Sequence, residues 1–197
     1  SKFSINSSTG ALTLNSTADY ENPSDANTDN DYVVVVRSTN SSNNTVDQSS
    51  TITILDVDET PAQITGSSGS AGDATSIKSI QENVIGVHGF TANETVTWSL
   101  NGGVDASSFT INSSGELSFS SAPDYESPGD SDSGNDYVVG VRATDSAGNT
   151  SDQQVIVSVV DVDETSPTIT GPSGSEAGAS TSSVTINENG TAVNTFT

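Results

Sequence analysis

Gln154-Val155-Ile156-Val157-Ser158-Val159-Val160 runs directly into Asp161-Val162-Asp163-Glu164-Thr165, with Pro167 just beyond. The first half alternates with the period of two that marks a β-strand. The second half crowds three carboxylates into four positions. The same junction stands 105 residues earlier, where Thr51-Ile52-Thr53-Ile54-Leu55 meets Asp56-Val57-Asp58-Glu59-Thr60 ahead of Pro61. A strand that ends in an acidic string and a proline is where a chain leaves one β-unit for the next. Both strings therefore read as joints between tandem β-domains.

The rest of the chain keeps the same register. Phe3-Ser4-Ile5-Asn6-Ser7-Ser8 returns as Phe109-Thr110-Ile111-Asn112-Ser113-Ser114, and Asp31-Tyr32-Val33-Val34 as Asp136-Tyr137-Val138-Val139. Asp19-Tyr20-Glu21 returns as Asp124-Tyr125-Glu126, Ile64-Thr65-Gly66 as Ile169-Thr170-Gly171, and Ile80-Gln81-Glu82-Asn83 as Ile186-Asn187-Glu188-Asn189. Self-similarity at this period means an array of like units. Residues 1–60 read as the C-terminal part of a first repeat, 61–165 as a complete repeat, and 166–197 as the N-terminal part of a third. The chain is thus expected to be an internal window of something longer.

Seven strands are predicted in the complete repeat: Ser76–Glu82, Gly86–Thr91, Thr95–Leu100, Ser108–Asn112, Glu116–Ser120, Tyr137–Thr144 and Gln154–Val160. In Tyr137–Thr144, one face carries Tyr137, Val139, Val141 and Ala143. Val96, Trp98 and Leu100 share a face of their own strand, which places Trp98 in the core rather than on a sugar-stacking platform. Asn112-Ser113-Ser114-Gly115 is a hairpin turn. No segment shows the helical period, so the fold class is all-β, a tandem array of seven-stranded Greek-key, immunoglobulin-like β-sandwiches.

Val, Ile, Leu and Phe supply 41 of 197 residues, a low apolar content for a chain of net charge −22, and near the composition of disordered chains. Against disorder, 31 of those 41 are β-branched Val or Ile, which favour strands. Cores are expected to be thin. With 4 Lys+Arg against 26 Asp+Glu, nucleic acid is excluded as a partner, anionic membrane surfaces are disfavoured, and cations are favoured. No run of apolar residues is long enough to insert in a membrane. The absence of Cys means no disulfide stiffens the array, which suits an exported bacterial-type protein. An extracellular or cell-surface location is expected.

The carboxylates that recur at matching positions are Glu82 and Glu188, Asp19 with Glu21, Asp124 with Glu126, and the two strings. In a sandwich all three places meet at one end of a domain. Two carboxylates about 4 Å apart repel by roughly 4 kcal/mol at an effective dielectric of ~20, and five or six together would exceed a domain's margin of ~5–15 kcal/mol. A cation is implied. Oxygen ligands with no His or Cys among them fit Ca2+, whereas Mg2+ is poorly suited to an all-protein cage. Plain solvated acidic turns would not recur at fixed offsets.

These motifs resemble those of cadherin-like repeats, especially the repeats of large bacterial adhesins. Glu82-Asn83 and Glu188-Asn189 look like the family's first-strand calcium glutamate, and the two Asp-Tyr-Glu triplets like its Asp-Arg-Glu motif with Tyr for Arg. The two strings look like its linker Asp-x-Asn-Asp-Asn. The resemblance implies side-chain ligands at Asp58, Glu59, Asp163 and Glu164, and carbonyls at Val57, Thr60, Val162 and Thr165. Ala143-Thr144-Asp145 is similar to the Ala-x-Asp motif that reaches back to the preceding joint. The family's Asp-x-Asp pair is missing near Thr91-Ala92-Asn93-Glu94, Asn40 stands where Asp145 would in the first repeat, and Glu59 and Glu164 replace Asp. One or two Ca2+ per joint are expected.

Enzymatic sites find little support. His88 is the only histidine, and Asn194 occupies its position in the third repeat, so no triad base recurs. Paired carboxylates suit glycosidases, but active sites are not expected in every tandem copy. Asn101-Gly102-Gly103-Val104-Asp105 reads as a turn. Arg37 and Arg142, at equivalent outward positions, are expected to pair with carboxylates. The function expected is a calcium-stiffened stalk or fibre segment of a secreted adhesin or matrix protein. Its partners would be calcium, neighbouring repeats and other copies in a fibre. The alternatives are a glycan- or protein-binding module and a passive spacer of a larger extracellular enzyme.

Overall fold

The computed structural model describes residues 1–171, 177–193 and 196, and the described residues form strands and loops with one short 3-10 turn. Segment 1–60 builds two hairpins. Strand β1 (Phe3–Ile5) pairs with β2 (Leu12–Leu14), and β3 (Asp31–Thr39) with β4 (Thr45–Thr53). The linker leads into β5 (Ile64–Thr65), β6 (Thr75–Gln81), β7 (Gly86–Gly89), β8 (Thr91–Ala92) and β9 (Thr97–Leu100). After the 3-10 turn Ala106–Ser108 come β10 (Phe109–Ile111), β11 (Glu116–Phe119), β12 (Asp136–Thr144) and β13 (Thr150–Val160).

Between residues 61 and 165 two sheets face each other. One is ordered β6-β13-β12-β9 and the other β10-β11-β7, with β5 and β8 forming a short extra pair. Only β6 and β13 run parallel; the other pairings are antiparallel. All seven predicted strands are present, most of them trimmed by a residue or two. The small β5–β8 pair was not foreseen, because two residues are too few to show a period.

The alternation read in the sequence sets the core. Tyr137, Val139, Val141 and Ala143 of β12 and Val155, Val157 and Val159 of β13 are buried, while Arg142 lies on the opposite face. Phe109, Phe119 and Tyr137 close one end, with Phe109 and Phe119 centroids 4.4 Å apart and Tyr137 edge-on to Phe119 at 5.0 Å. Trp98 packs half-buried against this core and tilts over Phe90 at 6.2 Å. His88 is half-buried, edge-on to Phe90, and burial pushes its imidazole below the ordinary value. Its third-repeat counterpart, Asn194, lies outside the described residues.

The hairpin β3–β4 repeats β12–β13 register for register. Arg37 pairs with Asp47 and Arg142 with Asp152, each through two hydrogen bonds of 2.6–2.7 Å across the strands. Tyr32 and Tyr137 each accept a backbone N–H at the hydroxyl, from Ser24 and Gly129 respectively. In segment 1–60 nothing corresponds to β6, β7 or β9, so Val34 and Val36 are half-buried where Val139 and Val141 are wholly buried. Beyond Thr165, the described residues form no strand. Among the described residues no helix is long and apolar enough to cross a membrane.

Candidate functional site

Strand β6 ends by turning at Glu82 and Asn83. Asn83 takes a left-handed φ of 63° and donates its N–H to Pro123 O at 2.9 Å. That turn drives the Glu82 side chain beneath the loop from 123 to 126 and the linker that follows β13. Its Oε1 accepts the Val162 N–H and its Oε2 the Tyr125 N–H, both at 2.8 Å. Glu82 is only 3% exposed. One buried carboxylate thus ties the first-strand turn, the Asp-Tyr-Glu loop and the acidic string together. The Tyr125 and Val162 N–H bonds hold its carboxyl below the ordinary value of 4.5, because they favour the charged form.

Around it stand exposed carboxylates that form no ion pair among the described residues. Glu82, Glu126, Asp161 and Glu164 each offer an oxygen such that all four lie within 4.8 Å of one another. Asn83 Nδ2 donates to Glu164 Oε1 at 2.8 Å and orients it. Asp124 lines the same pocket of about 250 Å³, with one oxygen engaged by the Ser127 N–H at 3.0 Å. Glu126 shows the cost of this crowding. Its own backbone N–H lowers its carboxyl, but desolvation and the charges of Glu82, Asp161 and Glu164 together raise it above 4.5.

The first joint carries two groups. On its upstream side Asp56 and Glu59 lie close enough to Glu21 to perturb its carboxyl. That carboxyl is raised despite its own backbone N–H, which acts to lower it. Asp19, Glu21, Val57 and Glu59 line one pocket there, and Asp19 Oδ1 accepts the Asn22 N–H at 2.9 Å, as Asp124 does with Ser127. On the downstream side Asp58, Glu94 and Asp145 again bring three oxygens within 4.8 Å. Asp145 is 7% exposed and accepts three backbone N–H bonds, from Ala147, Gly148 and Asn149.

Not every residue singled out in the sequence falls in a cluster. Asp163 lies outside the second-joint group and accepts the Thr165 N–H at Oδ1, as Asp58 does from Thr60. Glu188 joins no acidic group among the described residues, although Asn189 beside it repeats the left-handed φ of Asn83 at 66°. Two members were missed. Asp161 was visible as the first residue of the string. Glu94 was visible where the expected Asp pair is absent, a position at which a longer carboxylate had not been weighed.

Both clusters consist of carboxylate oxygens alone, the donor set that a hard divalent cation prefers, and nothing in them suits zinc or copper.

No protein family and no curated protein matches this sequence. Solved structures do. The chain is similar to mouse cadherin-23 EC22-24, at 22% identity over 82% of this chain and 50% of that one, with a TM-score of 0.42. It is similar to human CDH23 EC21-23 at 20% identity, 87% and 59% coverage, and a TM-score of 0.45. The extracellular domain of protocadherin GammaB4 gives 16% identity, 85% and 26% coverage, and a TM-score of 0.47. The chain therefore spans less than two thirds of each of these structures.

Proposed function

We propose that the chain is a segment of tandem cadherin-like repeats, bounded at 60 and 165, whose joints bind Ca2+ and are stiffened by it. The segment serves as a stalk or fibre element of a secreted surface adhesin or matrix protein. The carrying observation is the second joint, where a buried Glu82 and three further carboxylates, drawn from three segments in all, converge within 4.8 Å. Glu82, Glu126, Asp161 and Glu164 would hold an ion there, with Asp124 beside them. Asp58, Glu94 and Asp145 would hold one at the first joint.

The ion supplies positive charge among oxygens that otherwise repel. Because its ligands come from the linker and from the sandwich beside it, neutralisation and docking of the linker are one event. Without it, Glu126 and its neighbours push the linker away from the sandwich. Glu82 is already fixed by its two N–H bonds, so the exposed members are the ones that move.

Calorimetry and small-angle scattering of the chain test this together. With excess Ca2+ the melting temperature rises and the particle reaches its longest dimension; a chelator lowers both. Identical melting and scattering with and without chelator would rule the reading out.

A further inference from the structure

The first joint is also tied by bonds that need no ion. Asn149 Nδ2 donates to two acceptors, the backbone carbonyl of Asp58 in the linker and Oδ2 of Asp145, each at 2.9 Å. Ser151 Oγ donates to Ala62 O, and Asn93 Oδ1 accepts the Gln63 N–H at 2.7 Å. Ala62 and Ile64 are each 2% exposed, so the linker enters the sandwich already anchored.

The turn that presents Asn149 is closed on itself. The Asp145 N–H donates to Asn149 O at 3.1 Å, and Asp145 Oδ1 takes the N–H groups of 147, 148 and 149. In segment 1–60 the same turn forms between Asn40 and Asn44. The Asn40 N–H donates to Asn44 O at 3.0 Å, and Asn40 Oδ1 accepts from Ser42 and Asn44. There the carboxylate has become an amide, yet the asparagine at the position of Asn149 is kept. What the two copies share is the amide donor, not the charge.

We infer that Asn149 is a positioning residue of the joint. Its carboxamide clamps the linker to the sandwich downstream and sets Asp58 where its carboxylate meets Glu94 and Asp145, an inference that rests on the calcium reading of that group. The linker from Asp58 to Gln63 then stays docked when the ion is lost.

Because the chain has no cysteine, spin-label pairs can be placed cleanly. One pair, Thr60→Cys with Ser114→Cys, reports the linker against the sandwich. A second, Ser50→Cys with Ser114→Cys, reports β4 against the sandwich. In chelator, the Ser50–Ser114 distances should spread while Thr60–Ser114 stays narrow. Asn149→Ala should then release Thr60–Ser114 in chelator, with about a fivefold rise in the displaced population, the effect of one net hydrogen bond. It should also weaken Ca2+ binding at the first joint. The backbone N–H and carbonyl that close the turn remain in the variant, so its melting in chelator should change little.

Spreading of Thr60–Ser114 in the unmodified chain on chelation would overturn the clamp, and so would an Asn149→Ala chain whose linker stays narrow. If instead Ser50–Ser114 ignores Ca2+ altogether, the calcium reading fails, while the Thr60 pair still decides the clamp.

Discussion

Replacing Gly66 by alanine tests how the chain is anchored after it leaves a joint. Gly66 directly follows β5, where the linker has become the first strand of the sandwich. A methyl group there would overlap Oε1 of Gln153 and stand 2.8 Å from both Gln153 Cδ and Ser76 Oγ. Gln153 is 1% exposed and fully engaged. Its Oε1 accepts from Ser76 Oγ at 3.0 Å, and its Nε2 donates to Asp73 O at 2.8 Å. Room for the methyl exists only if Gln153 leaves that position and strands buried polar atoms. Each stranded group costs about 1–3 kcal/mol, and overpacking adds about 1–3 kcal/mol. A loss of about 3–5 kcal/mol is expected, which in a repeat of about 100 residues lowers the melting temperature by more than about 10 °C. The loss should be the same in Ca2+ and in chelator, because the neighbours of Gly66 are Gln153 and Ser76 rather than joint carboxylates. Denaturant melts of Gly66→Ala, Gln153→Ala and the double variant read the effect directly. The double variant should be less damaged than the sum of the singles by at least about 1 kcal/mol, since removing Gln153 removes the obstacle. A Gly66→Ala chain within about 0.5 kcal/mol of the parent would refute the reasoning, and so would strict additivity.

Glu94→Gln should weaken Ca2+ at the first joint and Asp161→Asn at the second, each by roughly tenfold in calorimetric titration, since calcium affinity follows the count of charged ligands; unchanged binding in both would remove these two residues from the sites. Binding should also depend on pH. Glu126 has its carboxyl raised above 4.5, so without an ion its proton favours the folded joint at low pH, and that contribution disappears as pH rises through the raised value. Ca2+ must displace this proton, so its affinity at the second joint should fall as pH drops from 7 toward about 5, with proton release on binding. A pH-independent affinity in that range, or no proton release, would contradict the charge pattern at Glu126.

Most of the fold was legible because its signal is periodic. Tyr137, Val139, Val141 and Ala143 could be assigned to one face by counting, and their burial follows. The pairing of Arg142 with Asp152 was half-legible: a partner was expected, but its identity came only with the β12–β13 register. The carboxylate clusters were harder to read, and the reason is side-chain length. Aspartates here are spent close to home. Asp19 takes the N–H of Asn22, Asp124 that of Ser127, Asp58 that of Thr60, and Asp163 that of Thr165, while Asp145 takes three from its own turn. A short carboxylate within two to four residues of free N–H donors caps its own loop first, and offers an ion only the oxygen that remains. Glutamate, one methylene longer, reaches farther, although Glu126 still feels its own backbone N–H. Glu82, Glu126 and Glu164 therefore make up most of the second-joint group, and Glu94 completes the first. Matching the strings position by position weighted Asp163 and Glu164 alike, and passed over Glu94. Asp161, directly after β13, is the one aspartate of the second-joint group. At the first joint Asp58 and Asp145 cap local N–H groups and still join the cluster, so capping and side-chain length together set how an acid presents itself to a cation.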